Sequence, residues 1–187
     1  MITLTRCRKA TLVFILGALA LGIAVYLLLD KATAPQQANA VLPQSTEPLF
    51  QTHLPDANGK SHSPTQWRGK TLVVNFWASW CQPCREEMPA FSRLQQKHAG
   101  SSVQFIGIAV DNARKVADFS KATPVSYPLL IAETEGSELM RQLGNTKLGL
   151  PYTIVINRHG KATFAHLGRL SEKQLDDLLA KETSAPQ

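Results

Sequence analysis

Two nearly continuous apolar runs, "TLVVNFWA" at 71–78 and "VQFIGIAV" at 103–110, constrain this chain more than any other feature. Both are rich in branched and aromatic residues, and strands that are apolar on both faces belong inside a parallel sheet covered from two sides. Parallel neighbours need a crossover connection, and the stretch between the runs supplies a helix. From about Pro83 to His98, Met88, Phe91 and Leu94 recur at three-residue spacing, and Gly100 ends the segment. The reading is therefore a strand, helix, strand unit with a sheet at its centre.

The rest of the chain extends that sheet. Residues 113–122 and 135–143 have helical composition and flank a short apolar segment, "YPLLIA", that predicts another strand. "YTIVI" and "KATFAHL", joined by the turn-forming "NRHG", predict an antiparallel hairpin, with His159 in its turn. A last helix opens with a capping box of Ser171 and Gln174 and buries Leu175, Leu178 and Leu179. "DANGK" at 56–60 carries an earlier hairpin signal. A chain of 187 residues suits one such domain plus an appendage.

The appendage is N-terminal. Residues 10–29, "ATLVFILGALALGIAVYLLL", carry no charge, and a helix of that length spans about 30 Å, the thickness of a bilayer's hydrocarbon core. Arg6, Arg8 and Lys9 precede it, which keeps residues 1–9 in the cytoplasm and exports everything after Asp30. A cleaved signal peptide is the rival, but its apolar core runs only about 7 to 15 residues. Residues 30–47, rich in Ala, Pro and Gln, read as a linker, 48–182 as the domain and 183–187 as a tail. The net charge of +6 is largely topogenic, and beyond residue 31 sixteen Lys and Arg face thirteen Asp and Glu without a basic block, so nucleic acid is not indicated.

Of the three cysteines, Cys7 falls on the cytoplasmic flank, where it reads as a plain juxtamembrane thiol open to acylation, while Cys81 and Cys84 lie on the far side of the span. Zinc would need two more Cys or His nearby, and the five histidines (53, 62, 98, 159 and 166) are scattered, so no metal is expected; His53, His98 and His166 read as surface or edge residues. A static staple across two residues would constrain the unfolded chain little. A pair held this close suits a bond that opens and closes. Cys81 falls between a buried strand and a helix start, where free N–H groups and the helix dipole stabilise a thiolate, which makes it the nucleophile. Pro83 suits an early helical position, and Cys84, one turn in, is the resolving thiol.

With "VNFWASWCQPC", Pro89 eight positions after Cys81, and "GLPYT" at 149–153, residues 48–182 resemble the thioredoxin superfamily, and within it the membrane-anchored TlpA/ResA-like thiol:disulfide reductases. The resemblance implies a three-layer α/β/α fold around a mixed sheet, and no cofactor. It implies a cis Leu150–Pro151 bond opposite Cys81, with the Leu150 backbone and Trp80 binding substrate. Trp77 is expected in the core, Trp80 in part exposed, and Tyr152 narrowing the substrate groove. Where cytosolic thioredoxin has a buried acid this chain has Asn75, and the branch it resembles supplies another acid at the position of Glu87; Glu86 reads as a solvated charge.

The apolar segment and the resemblance together imply a membrane-tethered enzyme on the extracytoplasmic side of a bacterial inner membrane that reduces disulfides of exported proteins, apocytochrome c being the substrate the resemblance suggests, and that draws electrons from a membrane thiol protein. Gln82–Pro83 lacks the histidine of strongly oxidising relatives, which favours a reductant. A disulfide oxidase or isomerase is the alternative, followed by a non-catalytic adaptor or copper-handling module, for which no Met or His cluster speaks.

Overall fold

The computed structural model describes residue 22, residues 38–39, 41–100 and 102–184. The chain divides into two compact units, residues 1–36 and 37–187. Of the first, only Gly22, in a helix, is described, so the rest of the expected span, the flank with Cys7, residues 30–37 and 40 of the expected linker and the last three residues of the tail lie outside the described residues. Among the described residues no helix is long and apolar enough to cross a membrane.

Among its described residues the second unit holds eight strands and five α-helices in the order β1 (Ala38–Asn39), α1 (Glu47–Phe50), β2 (Leu54–Pro55), β3 (Ser61–His62), a 3₁₀ turn (Pro64–Trp67), β4 (Thr71–Trp77), α2 (Gln82–Lys97), β5 (Val103–Ala109), α3 (Ala113–Ala122), β6 (Leu129–Ile131), α4 (Gly136–Gln142), β7 (Tyr152–Ile156), β8 (Ala162–Leu167) and α5 (Glu172–Ser184). Six strands form one sheet in the order β1-β8-β7-β4-β5-β6, and β2 and β3 form a separate hairpin. β4, β5 and β6 run parallel, while β7 is antiparallel to β4 and β8, so the sheet is mixed, as expected. The β2–β3 hairpin attaches at the sheet edge through a bridge between Asp56 and Leu130.

All seven residues of β4 are buried, and alternation along the strand divides them between two cores. Val73 and Trp77 join Met88, Phe91 and Leu94 of α2, Val116 and Phe119 of α3, and Leu175 and Leu179 of α5. Leu72, Val74 and Phe76 point the other way, onto Leu49 and Phe50 of α1, Trp67 of the 3₁₀ turn and Leu139 and Met140 of α4. Helices on both faces explain why the strands show no polar alternation.

The capping box forms as predicted: Ser171 N–H donates to Gln174 Oε1 at 3.1 Å and Gln174 N–H returns to Ser171 Oγ at 3.3 Å. Three features differ from the expectations. Ala38–Asn39, within the stretch read as linker, adds an edge strand antiparallel to β8. His98 is not at the surface; it is buried, with Nε2 2.9 Å from the Asp176 carboxylate of α5. Tyr152 does not narrow a groove, because the parity of β7 turns it into the core opposite α2, where its hydroxyl donates to Leu143 O at 2.6 Å.

Candidate active site

β4 ends at Trp77, and a turn closed by Cys81 N–H donating to Ala78 O at 3.1 Å delivers the chain to α2. Cys81 is the N-cap, with extended backbone, and its Sγ accepts from Cys84 N–H at 3.3 Å, one of the donors a helix start leaves without a backbone partner. Pro83 occupies the first turn, where its missing N–H is no loss. Cys81 and Cys84 are joined by a disulfide, with Cα atoms 5.3 Å apart. Cys84 is fully enclosed, whereas Cys81 keeps 5% of its surface exposed, so a substrate sulfur approaching from solvent meets Cys81 first. Trp80, beside it, is 67% exposed, and Trp77 is in the core.

Two adjacent acids on α2 have opposite surroundings. Glu86 is exposed, accepts from Gln82 Nε2 and pairs with Arg169 at 2.8 Å. Glu87 turns inward, only 1% exposed, one helical turn beyond Cys84 and so on the same face. Its Oε1 accepts from Asn75 Nδ2 at 2.9 Å and its Oε2 from Leu170 N–H at 3.0 Å. The same Asn75 nitrogen also donates to Thr153 Oγ1 at 3.0 Å, tying the carboxyl to β4 and β7. Burial raises the Glu87 pKa from its ordinary 4.5 to about 7, against the opposing pull of the Leu170 N–H, the Asn75 amide and the Arg169 charge.

The Leu150–Pro151 peptide is cis. Pairing of Phe76 with Tyr152 sets Pro151 level with the end of β4, where the turn to Cys81 begins. Pro151 O accepts from Gly168 N–H at 2.8 Å, and Asn145 Nδ2 holds Gly149 O at 2.8 Å, so the loop is braced on both sides of Leu150.

The redoxin family model matches residues 36–179, which takes in the disulfide, Glu87 and the cis-proline loop. The chain is a redoxin. It belongs to the thioredoxin superfamily and is TlpA/ResA-like. It is 30% identical over 129 residues to thiol-disulfide oxidoreductase ResA of Bacillus thuringiensis subsp. konkukian, covering 68% of this chain and 72% of that protein. With ResA of Geobacillus thermodenitrificans it shares 28% identity over 166 residues, 88% of this chain and 89% of the relative. Among solved structures, the thioredoxin-related protein from Neisseria meningitidis serogroup B superposes with a TM-score of 0.64 at 34% identity, over 71% of this chain and 99% of that one. This redoxin is a thioredoxin-like thiol:disulfide oxidoreductase, and its substrates contain disulfides.

The residues singled out in the redoxin sequence gather around the end of β4 and the start of α2, but their supports were not visible there. Asn75 was read as a substitution rather than as a donor to Glu87. Leu170 lies 83 positions from Glu87 and contributes only its backbone N–H, which leaves no trace in residue type. Asp111, which no motif of the sequence marks, is also buried and binds the active-site turn. Among the described residues no three His, Cys, Asp or Glu side chains gather as a metal site.

Proposed function

We propose that this redoxin is a membrane-tethered extracytoplasmic reductase, and the observation that carries the direction of the reaction is the buried Glu87 one turn from Cys84. A negative charge beside two thiols disfavours their thiolates, and a dithiol that holds its protons more tightly is the stronger reductant. The uncharged segment 10–29 behind Arg6, Arg8 and Lys9 supports the tether, with residues 1–9 inside and the domain outside. Exported proteins, apocytochrome c first among them on the strength of the resemblance, are the substrates, and a membrane thiol protein is the electron donor.

In this account Cys81 Sγ, as thiolate, attacks one sulfur of the substrate disulfide and releases the other as a substrate thiolate, leaving a mixed disulfide. Trp80 and the Leu150 backbone beside Pro151 hold the substrate segment in strand-like register. Glu87, with a pKa of about 7, takes the proton that Cys84 must lose. Cys84 Sγ then attacks Cys81 Sγ, forming the Cys81–Cys84 disulfide and expelling the second substrate thiolate, which collects the proton. Two electrons have moved from the enzyme dithiol to the substrate, and the membrane donor restores them.

The test is to express full-length Cys84→Ser in cells and identify the trapped mixed disulfides. The expected result is membrane-bound adducts through Cys81 with exported cysteine-bearing proteins, cytochrome c precursors included. Substrates that accumulate reduced, rather than oxidised, in cells lacking the protein would reveal an oxidase and overturn the proposed direction.

A further inference from the structure

Asp111 lies just beyond β5, and its buried carboxylate binds the segment that delivers Cys81. Its Oδ2 accepts from Ser79 N–H at 3.0 Å and from Ser79 Oγ at 2.5 Å. Its Oδ1 accepts from Asn112 N–H at 2.9 Å, with Lys115 Nζ of α3 at 3.6 Å. Ser79 sits inside the Ala78–Cys81 turn, two residues before the nucleophile. One step below, Val110 N–H donates to Trp77 O at 2.9 Å, so two successive contacts tie this turn to the end of β5. Burial opposes ionisation of Asp111, but the Ser79 hydroxyl, the N–H groups of Asn112 and Ser79 and the Lys115 charge outweigh it and hold the carboxyl below its ordinary value. The clamp is therefore an anion at neutral pH, and hydrogen bonds to an ionised acceptor are the strong ones.

We propose that Asp111 is a positioning residue for the nucleophile: through Ser79 it fixes the Ala78–Cys81 turn so that Cys81 Sγ stays over the N–H of Cys84. This rests on reading Cys81 as the attacking thiol. The Sγ to Cys84 N–H contact of 3.3 Å strengthens when Sγ carries a charge, and it requires the turn to hold one orientation relative to α2. A turn released from Asp111 pivots, the thiolate loses that donor, and the Cys81 pKa rises. Lys115 is the charged neighbour of Asp111, Ser79 and Asn112 are its neutral ones, and Cys84 and Glu87 are the titratable groups of α2 on the Cys81 side.

The test uses the reduced full-length protein in a Cys84→Ser background, where Cys84 N–H is retained, and measures the rate of Cys81 alkylation by iodoacetamide against pH. Ser79→Ala should move the midpoint upward and slow alkylation near neutral pH by about three- to tenfold, a full pKa unit being about tenfold in thiolate. Ser79→Thr, which keeps the hydroxyl, should restore the original profile. A Ser79→Ala midpoint equal to that of the unsubstituted background, whatever its melting temperature, would show that the clamp is only structural. A lower midpoint in Asp111→Asn with none in Ser79→Ala would show that Asp111 acts as a charge through space, and the positioning role would fall. If the Cys84→Ser background with Ser79 intact forms no mixed disulfide with a disulfide substrate, Cys81 is not the nucleophile, and the reading beneath the proposal fails first.

Discussion

The two faces of the central sheet are built from the same strands and bear different loads. Opposite α2, Leu72, Val74, Phe76, Tyr152, Ile154 and Ile156 pack as an apolar layer, in which the Tyr152 hydroxyl is paired with Leu143 O. On the α2 face the alternate positions Asn75 and Thr153 are polar, and with Glu87 they form a buried hydrogen-bonded chain. Among the described residues that face also holds Asn75 Oδ1, Trp77 Nε1 and Tyr127 OH, three of five buried side-chain atoms without a hydrogen-bond partner; the others are Asn145 Oδ1, beside Met140 of the opposite core, and Thr163 Oγ1 of β8. Both faces carry an apolar core, but buried polar groups cost free energy unless fully paired, so the α2 face gives up part of its stability to keep an ionisable group beside the disulfide.

The sharpest way to break this contrast is at the sulfurs. Cys81→Ser should abolish mixed-disulfide formation while Cys84→Ser accumulates it, as non-reducing gels of the full-length variants will show; the reverse pattern would reassign the nucleophile.

On the apolar face, Phe76 is fully enclosed and its ring centroid lies 6.1 Å from that of Tyr152. Phe76→Ala should cost about 3–5 kcal/mol of unfolding free energy, read from denaturant midpoints, and leave the pH midpoint of thiol alkylation where it was. A moved midpoint would mean that the faces are not separable.

Glu87 sharpens the comparison through pH. Its native carboxyl holds the proton more tightly than the unfolded chain does, so its contribution favours the native state in acid and is lost as pH rises. Over the window from its ordinary 4.5 to about 7 that loss amounts to about 3 kcal/mol, and Glu87→Gln should remove this slope from the stability of the oxidised protein. The neighbouring substitution is the control: Glu86 and Arg169 are 43% and 57% exposed, and Glu86→Gln should cost less than about 1 kcal/mol in the same titration.

How far the sequence carried the reading follows from the same contrast. β4, α2 and β5 were legible because burial on both faces writes continuous apolar runs, and Cys81 and Cys84 because strand, turn, cysteine and helix proline stand next to one another. The position of Glu87 came from the resemblance, but its burial did not, since Asn75, Thr153 and Leu170 meet it only after the sheet has formed. The resemblance places Tyr152 at the groove, whereas the strand's alternation from Tyr152 to Ile156 sets its face. His98 was misplaced because Asp176 reaches it from α5, 78 positions away. The edge strand Ala38–Asn39 is too short for any periodicity to register.

The most direct test of the link between Glu87 and the thiols is the rate of cysteine alkylation against pH in reduced wild type, Glu87→Gln and Glu86→Gln. Removing the buried carboxylate should shift at least one thiol midpoint to lower pH and make the pair more oxidising, while Glu86→Gln follows wild type. Unchanged midpoints in Glu87→Gln, or a larger shift in Glu86→Gln, would contradict the account.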